Sequence, residues 1–298
     1  MPGKQTLVAI TCRTVQGRYL FRPSDELNDM VLGVLGRARR LFPLGVCAVS
    51  VLSDHLHLLL VADDAEEVAD FMEYAASNLA REVNRLTGWS GPVFQSRYSM
   101  IVVTEEEAAQ VERLRYVLAQ GCKENLVERV RDWPGVQSAG ALADGRPLVG
   151  HWRDRTREHV LQRRKEAPAA DLLAEETLEL GPIPCWRHLP AEEYRERVST
   201  LVDGIEREAA AERARSGARV LGARAIRAQH PHYRPPTLAR SPAPLVHAAS
   251  RAARLAFRAA YARFVEAFRA AADRLRRGEL SACFPAGSFP PAAPFVPG

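Results

Sequence analysis

Two histidines one residue apart, His55 and His57, stand at the head of the apolar run Leu58-Leu59-Leu60. On a β-strand alternate side chains share a face, so the two imidazoles lie side by side while Leu56 points the other way, into a core. Adjacent imidazoles can hold one metal ion, and they occur just as often as half-exposed residues at a hairpin end, so the pair alone leaves both readings open. A second pair, His230 and His232, flanks Pro231 and has no apolar run after it. Proline cannot donate to a central ladder, which makes the first pair the candidate. Farther on, Val111, Leu114 and Leu118 form one helical stripe, and Tyr116 lies roughly opposite it at about 100° per residue. Gln120 follows on the Tyr116 face one turn later. A phenol oxygen and an amide oxygen thus project from one polar face. A lone tyrosine there is usually an ordinary surface residue; beside an H-x-H strand in the same small domain it becomes a site candidate.

These side chains need a frame. Thr6 to Thr14 alternates and is rich in β-branched residues, predicting a strand, with Arg18 to Arg22 extending it as a short hairpin arm. Pro23-Ser24-Asp25-Glu26 starts a helix whose apolar face runs from Leu27 to Phe42. Val46 to Leu52 and Leu56 to Val61 read as strands joined by a turn at Ser53-Asp54. A second helix spans Asp64 to Leu86 and stops at Gly88. Val93 to Gln95 and Arg97 to Val103 supply the last strand, and Thr104-Glu105-Glu106-Glu107 opens a third helix with Thr104 as its cap. The order β-α-β-β-α-β predicts an α+β, ferredoxin-like (split βαβ) fold over residues 1–136, with an antiparallel sheet whose first and third strands are central.

Composition bounds the rest. The 298 residues, 47% apolar and 26% charged, suit a soluble globular chain of more than one domain. No run of about 18 apolar residues is present, so no membrane span is expected. The N-terminus lacks a signal-peptide pattern, and the expected location is the cytoplasm. The five cysteines contain no C-x-x-C pair and read as reduced structural thiols. Lysine occurs only at positions 4, 123 and 165, so the net charge of +5 is carried by arginine, which suits phosphate but fits a codon bias equally well.

The combination resembles the HUH-type single-tyrosine transposases, and within them the REP-associated tyrosine transposases and small insertion-sequence transposases. The matching pieces are His55-Leu56-His57 with its leucines, the Ala80 to Arg85 segment, Gly91 to Tyr98, and Arg115-Tyr116-Val117 followed by Trp133-Pro134. The resemblance implies an HUH nuclease fold acting on single-stranded or hairpin DNA, with His55, His57 and Gln120 as ligands of a divalent ion, Mg²⁺ or Mn²⁺, and Tyr116 as the nucleophile. The implied reaction leaves a 5′-phosphotyrosine and a free 3′-hydroxyl, a link whose energy is kept for rejoining. A phenol is protonated at neutral pH, so the metal and Arg113 or Arg115 are expected to activate it. Residues expected against DNA are Arg13, Arg97, Arg113, Arg115, Trp152, Arg153 and Arg155. Two departures stand out: Gln120-Gly121 replaces the Asn-Pro usual after the tyrosine in the REP-associated group, and Ser53-Asp54 replaces the usual Pro-Asn before the first histidine.

Beyond residue 136 a basic linker region is expected at 137–190, a helical accessory domain at 191–283 with helices from Ala191 to Arg215 and Leu245 to Arg277, and a proline-rich tail at 284–298. A homodimer is compatible with this plan. The alternative to a metal-dependent strand transferase is a catalytically retired, hairpin-specific DNA-binding regulator, which would be expected to have lost His55, His57 or Tyr116. A ferredoxin-like RNA-binding module would want exposed aromatics where the histidines stand.

Overall fold

The computed structural model describes residues 4–165, 172–236 and 244–292. Strand β1 (Thr6–Arg13) ends at a 3-10 turn over Val15–Gly17, where Gln16 (φ 56°) and Gly17 (φ 64°) both take left-handed conformations. The hairpin arm expected from Arg18 to Arg22 is therefore absent, because these two residues turn the backbone out of the ladder. Helix α1 (Asp25–Leu41) is capped by Ser24, whose Oγ accepts from the Leu27 amide at 3.1 Å. Strands β2 (Gly45–Val51) and β3 (His55–Ala62) pair antiparallel, and α2 (Ala65–Thr87) runs from the Asp64 cap to left-handed Gly88. Strand β4 (Ser99–Val103) closes the unit. The sheet order β2-β3-β1-β4, antiparallel throughout, is the split βαβ arrangement, with β1 and β3 central as the alternation requires.

Alternation also sorts the two layers. Leu56, Leu58 and Leu60 face α1 and α2 together with Val8 and Ile10, whereas Leu59 and Val61, in step with His55 and His57, face the opposite layer with Leu7 and Ala9. That second layer is built on α3 (Glu107–Leu118), which continues after Ala119 into the single turn α4 (Gln120–Lys123). Helix α3 begins later than expected. Thr104 does not cap it; its hydroxyl donates to Glu106 at 2.9 Å, and the Glu106 carboxylate accepts from the amides of Ala249 and Ser250.

The second half of the chain joins both layers. After α5 (Ala139–Asp144), the residues expected as a basic linker form a hairpin of β5 (Leu148–Arg153) and β6 (Leu173–Leu178), with α6 (Arg155–Arg164) between them. The hairpin lies directly on α1: a Cβ on Gly33 would stand 2.0 Å from the His151 carbonyl oxygen, and one on Gly150 would stand 2.4 Å from that of Asp29. Backbone meets backbone here, so Gly33→Ala is expected to destabilise the protein by at least about 1–3 kcal/mol in urea unfolding, whereas Gly140→Ala, which meets nothing, should not. Helices α7 (Ala191–Ser216) and α8 (Ala223–Ala228) cover the α3 layer with Val198, Ile205 and Ile226. Val246–His247 (β7) then adds a parallel strand to β4, so α9 (Arg251–Arg276) starts later than Leu245. In the proline-rich tail Phe284 packs on Phe268 of α9, and positions 293–298 lie outside the described residues. Among the described residues no helix is long and apolar enough to cross a membrane.

Candidate metal and nucleophile site

The register of the central strands assembles the site. Thr11 on β1 sits opposite His57 and Arg13 opposite His55, so all four side chains share the α3 face. The two imidazole rings stand edge to face with centroids 4.8 Å apart. His55 Nδ1 donates to Asp54 Oδ1 at 2.7 Å, which puts the lone pair of the ring on Nε2. His57 Nδ1 shares a 2.9 Å hydrogen bond with Thr11 Oγ1. Its Nε2 is buried without any hydrogen-bond partner, and the residue is only 4% exposed.

A buried ring nitrogen without a partner is unusual in a folded protein and marks His57 as a candidate site residue. Burial, then the positive charges of His55, Arg13, Arg113 and Lys123, hold the His57 pKa well below the ordinary value, so the imidazole is neutral and its lone pair available at pH 7. The same shift predicts a pH dependence. Unfolded, His57 takes up a proton near pH 6.5; in the fold it does so only at much lower pH. Stability is therefore fully present above about pH 6.5 and falls below it, by at most about 1.4 kcal/mol per pH unit from this group. Urea melts of chelator-treated protein should show the fall between pH 7 and 5.5, and His57→Leu should flatten it.

Helix α3 brings Tyr116 to the pair, its ring centroid 5.4 Å from that of His57 and perpendicular to it, with the residue 36% exposed. Gln120 is 2% exposed, and its Nε2 donates to the Tyr116 carbonyl oxygen at 2.7 Å, so the amide oxygen is the atom left for a ligand. Two cations flank the phenol ring, Arg113 at 5.1 Å and Lys123 at 4.8 Å from its centroid. The Arg113 Nε is buried without a partner, and burial lowers the guanidinium pKa. Arg115, by contrast, is ion-paired with Glu208 on α7, so the cation expected beside the tyrosine is Arg113 joined by Lys123. Lys123 was legible, since it follows Tyr116 and Gln120 at helical spacing and is one of three lysines. Thr11 was not, because it reaches His57 through strand register. Among the described residues no group of three or more His, Cys, Asp or Glu is placed to hold a metal.

Of the other expected DNA-facing residues, three lie elsewhere. Arg97 is exposed ahead of β4. Trp152, Arg153 and Arg155 stand on the α1–α2 side of the sheet, in the wall of a groove of about 1010 Å³. Arg155 donates to both carboxylate oxygens of the nearly buried Glu82, Arg153 donates to Glu158, and Trp152 lies under Arg37 at 4.4 Å. The His230–His232 pair has its own partners: His232 Nε2 donates to the Thr87 carbonyl at 2.8 Å, and His230 Nδ1 accepts from the His232 amide at 3.1 Å.

No family model matches the chain. No curated protein matches it either. Among solved structures it is similar to a Deinococcus radiodurans R1 protein provisionally assigned as a transposase, at 22% identity and a TM-score of 0.29, covering 37% of this chain and 88% of that one. It is also similar to a REP-associated tyrosine transposase bound to a REP hairpin, at 15% identity and a TM-score of 0.35, covering 57% of this chain and 88% of that one. Overlays of that closeness carry no argument about activity, which rests on the side chains of the site itself.

Proposed function

We propose that this chain is a metal-dependent endonuclease and strand transferase that cuts and rejoins single-stranded, hairpin-forming DNA through Tyr116. The observation that carries the reading is the buried, partnerless Nε2 of His57 with the Tyr116 ring packed against that imidazole. His55, His57 and Gln120 would hold a divalent ion, Mg²⁺ or Mn²⁺. When bound, such an ion polarises a scissile phosphate and neutralises developing charge. The remaining work belongs to the chain. Arg113 and Lys123 hold the phosphate beside the phenol. The Tyr116 oxygen loses its proton and bonds to phosphorus in line, the bond from phosphorus to the 3′ oxygen breaks, and that oxygen leaves protonated as a 3′-hydroxyl. Attack by a 3′-hydroxyl on the phosphotyrosine reverses the exchange, so rejoining needs no nucleotide hydrolysis.

The test is a covalent adduct. Full-length protein, labelled hairpin DNA and Mn²⁺ or Mg²⁺ should give a protein–DNA species that survives denaturation and is absent with chelator. Protein that binds varied hairpins yet forms no adduct would overturn the reading and leave a DNA-binding regulator. Lys123→Ala should slow adduct formation roughly tenfold to hundredfold, Lys123→Arg should retain most of it, and neither should alter metal binding.

A further inference from the structure

Helix α9 carries seven arginines against two acids, a net +5 that equals the charge of the entire chain, so the rest of the protein is neutral overall. Arg274 and Arg276 are paired with Glu279 and Asp273. Arg251, Arg254, Arg258 and Arg269 are exposed, and among the described residues their side chains have no carboxylate partner. At about 100° per residue these four fall within one arc of roughly 60°. Beside that arc runs an aromatic stripe of Phe257, Tyr261, Phe264 and Phe268, in which Tyr261 is 43% exposed and stacks on Phe264 at 6.3 Å. Of the whole helix only Ala271, Ala272 and Leu275 are buried.

The root of this helix is fixed to the catalytic sheet. Strand β7 pairs with β4, the Ser250 hydroxyl caps α9 by accepting from Ala253, and Glu106 of the α3 entry accepts from the Ala249 and Ser250 amides. His247, three residues before that cap, feels the charge of Arg113, the cation beside Tyr116. A row of arginines without carboxylates, beside an aromatic stripe from which the Tyr261 ring is exposed, matches a single-stranded polynucleotide, whose phosphates take the cations and whose bases can stack on that ring. A second copy of α9 is disfavoured because it would set +5 against +5.

We propose that α9 is an arm that holds single-stranded DNA outside the cleavage site, independently of base sequence. The choice of DNA as the polyanion rests on the reading of the Tyr116 site. The test separates the two by measuring binding with chelator present, using full-length protein and fluorescent oligo-dT, which offers no hairpin. Wild type should bind, with affinity falling steeply with salt. Arg251→Gln/Arg254→Gln/Arg258→Gln should weaken binding at least tenfold and reduce the slope of log affinity against log salt by about two, at roughly 0.7 for each phosphate no longer neutralised. Tyr261→Ala should weaken binding about tenfold with the slope unchanged, and it serves if the triple variant fails to fold. An equal loss of charge elsewhere, Arg163→Gln/Arg164→Gln/Arg219→Gln, should leave the slope near wild type. The arm is overturned if the two triple variants behave alike, or if wild type binds anionic phosphatidylserine vesicles but not oligo-dT. A missing Tyr116 adduct leaves this result standing, and an intact adduct with unaltered binding by the α9 variants removes the arm alone.

Discussion

Tyr116→Phe is expected to abolish the covalent adduct, by more than about a thousandfold, while the protein keeps its fold and its affinity for hairpin DNA. The substitution removes one oxygen and nothing else. The ring that remains still meets the His57 edge and still lies between Arg113 and Lys123. Because the residue is 36% exposed, the hydroxyl is not a buried group whose loss would leave a cavity, and the stability change should stay within about 0.5 kcal/mol. A denaturing gel with labelled hairpin reads the adduct, and a thermal melt confirms the fold. Adduct formation by the Phe variant would mean that another side chain attacks, and the assignment of Tyr116 would fall.

Removing the His57 imidazole is expected to have the largest effect on metal binding. A divalent ion that binds only the native state stabilises it by about 2.7 kcal/mol at a hundredfold excess over Kd, which for a chain of this size raises Tm by roughly 5 °C or more. Wild type should show that rise on adding Mn²⁺, and His57→Ala should show none. His55→Ala should need far more Mn²⁺ to reach the same shift. His230→Ala should behave as wild type, since His230 Nδ1 and His232 Nε2 already have protein partners. A shift retained by His57→Ala and lost by His230→Ala would move the site to the second half of the chain. The sign of the pH effect gives an internal check, because His57 is neutral in the fold and a bound cation needs it so.

Much of the frame was legible because its signals are local. The Ser24 and Asp64 caps, left-handed Gly88 and the two amphipathic helices follow from short-range spacing, and strict alternation along β3 sent Leu56 and His57 to opposite faces. Where expectation failed, a distant residue had intervened. Thr104 resembled a helix cap, but Glu106 is occupied by Ala249 and Ser250, and the start of the expected last helix became a strand because β4 offered an open edge. Trp152, Arg153 and Arg155 looked like a DNA-facing stretch, yet Glu82 of α2 and the close Gly33–Gly150 approach hold that segment against α1 and α2, and Arg153 pairs with Glu158 within it.

The histidine pair, the tyrosine and the glutamine are properties of the sequence, since period-two and helical spacing put each pair on one face without help from the rest of the chain. The meeting of the tyrosine with the histidines is a property of the tertiary structure. Only the antiparallel register sets Thr11 beside His57, and only the packing of α3 on that face buries Nε2 and lays Tyr116 against it between two cations. Local spacing is written in neighbouring residues. Burial and the charges that act on a buried imidazole come from elements far away along the chain, and no short pattern records them.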